Sequence, residues 1–103
     1  MIYNIVITGH AEELLNHLIE YLLSEFQSRR AAIHLLNSVE SAYDRLSSAP
    51  LQFPLCEDEH LRNHGYRKVR FPGTNYIMIY QFIEPNVYIM GFFHETEDYI
   101  SKL

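Results

Sequence analysis

Apolar and polar positions follow different rhythms along this chain, and each rhythm predicts an element. Residues 2–7, Ile-Tyr-Asn-Ile-Val-Ile, are β-branched and aromatic and predict a first strand. Thr8 stands where a helix N-cap belongs, and Glu12 and Glu13 fall in the first turn, where they complement the helix dipole. The apolar positions that follow, Ala11, Leu14, Leu15, Leu18, Leu22 and Phe26, have the spacing of one helix face. Gln27-Ser28-Arg29-Arg30 interrupts that spacing. It resumes with Ala32, Leu35, Leu36, Val39, Tyr43 and Leu46 and stops before Pro50. So short a connection predicts two antiparallel helices, a helical hairpin.

Residues 50–61 carry two prolines and an acidic cluster, and predict an irregular crossing loop. After Gly65 the period changes from helical to alternating. Tyr66–Phe71, Asn75–Ile83 and Val87–His94 predict three strands, joined by turns at Pro72-Gly73 and Glu84-Pro85-Asn86. Thr96 to Leu103 leaves room for a last helical turn or two. The expected fold class is α+β in the order β-α-α-β-β-β: an N-terminal strand, a helical hairpin on one face of an antiparallel sheet, and a short C-terminal helix or tail. No repeat, linker or low-complexity tract divides the chain, so residues 1–103 are expected to form one domain.

The meander has two apolar faces. In its second strand Ile77, Ile79 and Ile83 alternate with Tyr76, Met78, Tyr80 and Phe82. In its third, Val87, Ile89 and Phe93 alternate with Tyr88, Met90, Phe92 and His94. The aliphatic face suits the underside of the hairpin, packed through Leu15, Leu18, Leu22, Leu36 and Val39. The aromatic, methionine-rich face then needs a cover of its own. A partner, a second copy of the chain, the C-terminal tail or the chain's own core would each supply one, and Tyr76, Met78, Tyr80, Met90 and Phe92 are the candidate partner-binding residues.

Composition narrows the function classes. The chain has 103 residues, 48% hydrophobic and 20% charged, which excludes disorder and allows one real core. Cys56 is the one cysteine, so no intrachain disulfide forms and a reducing cytosol is the expected compartment. The start lacks the basic n-region of a signal peptide, and no apolar run approaches the ~18–20 residues that span a bilayer. The terminal Ser101-Lys102-Leu103 matches a peroxisomal tripeptide, and a helix end is the simpler reading of it. The formal net charge is -5, the wrong sign for a general nucleic-acid binder. Against it, Arg62, Arg67, Lys68 and Arg70 put half of the Lys+Arg into nine residues. No cofactor or metal is expected. There is no glycine-rich phosphate cradle, and His60 and His64, four apart, read as solvated loop histidines because Asn63 and Gly65 disfavour a helix there.

The order and spacing of several fragments resemble the RelE/ParE superfamily of type II toxin–antitoxin toxins. They are the opening strand with Thr8 and Ala11, Ala42-Tyr-Asp-Arg-Leu in the hairpin, and Pro50 with Phe53-Pro54 in the loop. Gly65-Tyr-Arg-Lys-Val, Asn75-Tyr-Ile-Met-Ile-Tyr, Val87-Tyr-Ile-Met-Gly-Phe-Phe-His and Asp98-Tyr99 complete the set. The resemblance implies a bacterial toxin neutralised by a cognate antitoxin that wraps the sheet and hairpin. It leaves two targets: ribosome-bound mRNA, cut by RelE-like members, or DNA gyrase, poisoned by ParE-like members. A non-toxic antitoxin-binding relic is a further alternative, and the uncovered face leaves room for a homodimer when the chain is free.

Cutting RNA through a ribose 2′-OH needs a base, a cation for the pentavalent oxyanion and an acid for the leaving 5′-oxygen. Arg67, Arg70, His94 and Tyr99 are the candidate catalytic residues, with Tyr80 beside them. Histidine is the usual proton carrier near neutral pH, and arginine pairs with phosphate in bidentate fashion. The second helix contributes only Arg45 towards its C-terminal end, where RNases of the superfamily are rich in Lys and Arg.

Overall fold

The computed structural model describes residues 2–103. Strand β1 (Asn4–Ile7) leads into helices α1 (Gly9–Ser24) and α2 (Arg29–Ser48). A short helix α3 (Glu59–Asn63) follows, then strands β2 (Tyr66–Arg70), β3 (Tyr76–Ile83) and β4 (Asn86–His94), and a 3-10 turn at Ile100–Lys102. The sheet order is β1-β4-β3-β2. The meander is antiparallel, as expected, and β1 joins it by pairing parallel to β4.

Local chemistry starts each helix where the sequence places it. The Thr8 hydroxyl accepts the Ala11 N–H at 3.2 Å and donates to the Ile89 carbonyl at 2.8 Å, tying the start of α1 to β4. Ser28 caps α2 by accepting from the Ala31 N–H at 3.1 Å. Gln27 takes a positive φ of 51° to reverse the chain between the two helices. The crossing loop departs from expectation at one point. Asp58 accepts the Leu61 N–H at 3.0 Å and Leu61 is buried, and together these hold residues 59–63 in a helix despite Asn63 and Gly65.

The faces of β3 are the reverse of the expected ones, and Phe92 and Phe93 change sides with them, while Val87 and Ile89 lie under the hairpin as expected. The hairpin buries Ala11, Leu22, Ala32, Leu35, Val39, Ala42 and Leu46 against Met78, Tyr80 and Phe92, together with Val69, Phe71, Val87 and Ile89. Large flexible and aromatic side chains fit here because Ala11, Ala32 and Ala42 leave them room. Ile77, Ile79 and Phe93 lie on the other face, under Cys56, Leu61, Tyr66, Met90, Tyr99 and Leu103. The loop, α3 and the tail are therefore the cover. Met78, Tyr80 and Phe92 are at most 1% exposed, so they are core residues and no partner surface, and their burial removes the reason for expecting a second copy. Leu18 is half-buried against the hairpin core, and Leu36 is 41% exposed while Leu35 is fully buried.

A β-bulge brings the two halves of β4 to one face. Ile79 faces Gly91 and Tyr80 faces Ile89, so Met90 has no partner across the pair. Simple alternation fails beyond that point, and Val87, Ile89 and Phe92 all reach the hairpin side.

Candidate functional site

The four candidates for cleavage chemistry each have a structural engagement. Arg67 donates from Nη1 to the Phe53 carbonyl at 2.7 Å and more weakly to that of Leu51 at 3.5 Å, pinning the crossing loop. Arg70 is ion-paired to Glu95, with its side chain 64% exposed. Three residues apart on β2, the two arginines point to opposite faces. His94 accepts at Nδ1 from the Thr96 N–H at 3.2 Å and from the Thr96 hydroxyl at 2.7 Å. Its neutral ring therefore carries its proton on Nε2. Tyr99 stacks on Phe93, centroids 5.7 Å apart, in the core of the far face.

Tyr80 is buried, and its hydroxyl donates to the Pro50 carbonyl at 2.7 Å. Burial is the main reason its pKa is pushed up to about 12, with nearby Arg67 opposing, so it holds its proton at neutral pH. Its task is to tether the loop. Tyr80→Phe is expected to cost about 1–2 kcal/mol, since the Pro50 carbonyl loses its donor. Equilibrium urea unfolding at constant m-value measures that loss.

The tail is held from several sides. Glu97 accepts from Lys102 Nζ at 2.6 Å and from the His94 N–H at 2.7 Å. Burial pushes its carboxyl pKa up, but these bonds and the Lys102 charge outweigh burial and leave it below the usual carboxylate value. His10 Nε2 donates to the Lys102 carbonyl at 2.9 Å.

Three adjoining hollows, about 300, 370 and 380 Å³, form one trough where the hairpin meets the β2–β3 turn. The first two share His34, and the last two share Phe26 and Asn75. Arg30 and Arg45 line it with His34 and His94, and no Asp or Glu does; Arg70 only borders it from β2, its side chain turned to the far face in register with Ile77 and paired with Glu95. Aromatic surface is offered by Tyr21 and Phe26, 47% and 63% exposed, and by half-buried Tyr76. The trough thus combines cationic and apolar contacts in a chain of net charge -5.

Its floor depends on one glycine. Gly73 has a φ of +75°, and a Cβ there would sit 3.3 Å from His34 Nε2. That nitrogen donates to the Pro72 carbonyl at 2.9 Å and fastens the turn to α2.

Of the sequence candidates, the fold brings His94 and Tyr76 to this trough, sets Arg70 at its border with the side chain on the far face, and leaves Arg67, Tyr99 and Met90 elsewhere. Phe26, Arg30, His34 and Asn75 are the residues that sequence reasoning missed. Phe26 carried a signal: it is the last apolar position of α1's pattern, one turn beyond Leu22, where a helix end commonly outruns its core.

An α-hairpin on a four-stranded sheet whose first strand returns parallel to its last is the architecture of the RelE/ParE superfamily of toxins. The chain belongs to the ParE toxin family of type II toxin–antitoxin systems, whose family model matches residues 5–99. It is similar in fold to a chain of the chromosomal ParDE toxin–antitoxin system from Pseudomonas aeruginosa: TM-score 0.72, 10% identity, 90% of this chain and 96% of that one covered. It is also similar to a chain of the RelBE2 toxin–antitoxin complex from Mycobacterium tuberculosis, with TM-score 0.63 and 25% identity. That match covers 91% of this chain and 99% of the other. No curated protein sequence matches significantly. The protein is thus the toxin of a type II module, with a cognate antitoxin as its partner. No helix among the described residues is long and apolar enough to cross a membrane.

Proposed function

We propose that this toxin arrests growth by binding a protein target through the trough, in the manner of ParE-like members that poison DNA gyrase, and not by cutting mRNA. One observation carries the reading: the groups that cleavage needs are dispersed. Arg67 is spent on loop carbonyls, Tyr99 is packed on the far face, and His94 has its Nδ1 occupied by Thr96. Arg70 and His94 are separated as well: in register with Ile77 the Arg70 side chain belongs to the far face, and in register with Tyr76 His94 belongs to the hairpin face. Cleavage demands a base, an acid and a cation around one phosphate. Binding needs only a complementary surface, and aromatic anchors with arginine are the residue types that dominate such contacts.

Two variants separate the mechanisms. His94→Gln/Tyr99→Phe removes both proton carriers at nearly constant volume, and growth arrest and inhibition of gyrase supercoiling are expected to persist within a few-fold. Phe26→Ala/Arg30→Glu strips the trough of an anchor and a cation, and is expected to weaken both by tenfold or more, as loss of about 1.4 kcal/mol or more of binding would. Circular dichroism checks that each variant folds. A ~10²–10³-fold loss in the first variant, with mRNA cut by the parent protein in a purified translation system, overturns the proposal.

A further inference from the structure

Helix α3 carries two histidines that the toxin's action does not use. His60 lies inside the helix and His64 caps its C-terminus, so the pair has the i,i+4 relation that stacks side chains on one helix face. Their ring centroids are 4.4 Å apart with the planes tilted by 52°. Two imidazoles on one divalent ion, at metal–nitrogen distances of ~2.0–2.1 Å, place their ring centres roughly 4.5–5 Å apart. The observed separation falls within a small side-chain adjustment of that.

The protonation pattern also suits a metal. His64 Nδ1 donates to the His60 carbonyl at 2.8 Å, which leaves Nε2 as the bare lone pair of the neutral ring. A ligating histidine is ordinarily oriented in this way, by giving its other N–H to a backbone carbonyl. Neither nitrogen of the exposed His60 ring is bonded within the chain among the described residues. The neighbouring cation is turned aside, since Arg62 donates to the carbonyls of Cys56 and Glu57 at 3.2 and 3.3 Å. Glu57, Asp58 and Glu59 add negative charge to the same stretch.

The helix itself is a fixed base. The Asp58 cap holds its start, Leu61 is buried in the far-face core, and Gln81 Nε2 donates to the His64 carbonyl at 2.6 Å. Little backbone freedom is then left for an ion to freeze.

We propose that His60 and His64 form a two-point chelate for a borderline divalent transition metal, of the Ni²⁺, Cu²⁺ or Zn²⁺ kind, with water completing its coordination. Among the described residues no group of three or more His, Cys, Asp or Glu is gathered for a metal, so the protein supplies two ligands and an open site. Imidazole favours these ions over Mg²⁺ and Ca²⁺. Both rings must be neutral, so binding falls away as pH drops below the ordinary histidine range.

The test is calorimetric titration of tag-free, metal-free protein with Ni²⁺ and, separately, Mg²⁺ at pH 7.5. One Ni²⁺ per chain is expected, with no Mg²⁺ binding, and unfolding with Ni²⁺ present should move to higher urea. His60→Gln and His64→Gln should each weaken Ni²⁺ by at least about tenfold, while the His10→Gln/His17→Gln control should bind like the parent. These exposed side chains are changed without touching the core, and circular dichroism confirms the fold. Unchanged Ni²⁺ affinity in either single variant overturns the chelate, as does a stoichiometry of one ion per two chains or no binding by the parent protein.

Discussion

Leu35→Ala is expected to lower unfolding stability by about 2–5 kcal/mol, while Leu36→Ala one position on should stay within about 0.5 kcal/mol. The two leucines have the same chemistry and the same helix. They differ in which way they face. Leu35 is fully buried among Met78, Tyr80, Phe92 and the small residues of the hairpin, and Leu36 is 41% exposed. Truncating Leu35 removes its transfer energy and leaves a cavity that close-packed neighbours fill only in part. Urea unfolding of both variants, with equal m-values, checks the contrast. A loss at Leu36 as large as at Leu35 would mean that the hairpin is rotated from the orientation described.

Gly91→Ala is expected to cost about 3 kcal/mol although it adds a single methyl group. A Cβ at Gly91 would stand 2.5 Å from Cε2 of Phe93 and 3.3 Å from Cδ1 of Leu14. Phe93 has nowhere to go: it is 1% exposed, and Tyr99 is stacked on it. The crowding comes from the Phe93 ring, two residues on along the same face of β4, which lies over Gly91. The double variant Gly91→Ala/Phe93→Leu should regain part of the loss, since Leu lacks the ring carbons that clash. Thermal unfolding of both variants tests this, and a Gly91→Ala protein as stable as the parent would refute the packing argument.

The outline of the fold was legible because it depends on local and periodic signals. Thr8 and Ser28 are capping residues followed by a 3.6-residue apolar period, and the meander alternates with period two between residues that favour turns. Such signals act over a few residues, so they survive in any tertiary setting. They also sufficed for the family resemblance, which the match over residues 5–99 supports.

The choice of face was not legible, for a physical reason. In β3 both alternating sets are apolar, Ile77 and Ile79 on one side and Met78 and Tyr80 on the other, so alternation fixes that there are two faces but not which lies under the helices. The decision came from volume: three alanines on the hairpin accept the larger side chains, Phe92 lies beside Met78 in register, and the bulge at Met90 brings Ile89 and Val87 to the same side. The candidate site depended on tertiary structure still more. Its chemistry draws on Phe26, Arg30 and His34 from one end of the hairpin and on Asn75 and His94 from the sheet, residues up to 68 positions apart. Sequence by itself determined the residue types present, the helical hairpin and the four strands, and the acidic balance. Only the folded chain decided that Arg67 would be consumed by the Phe53 carbonyl, that Arg70 would pair with Glu95, and that an acid-free trough would open between the hairpin and the β2–β3 turn, because each of those outcomes is a contact between segments that no local period relates.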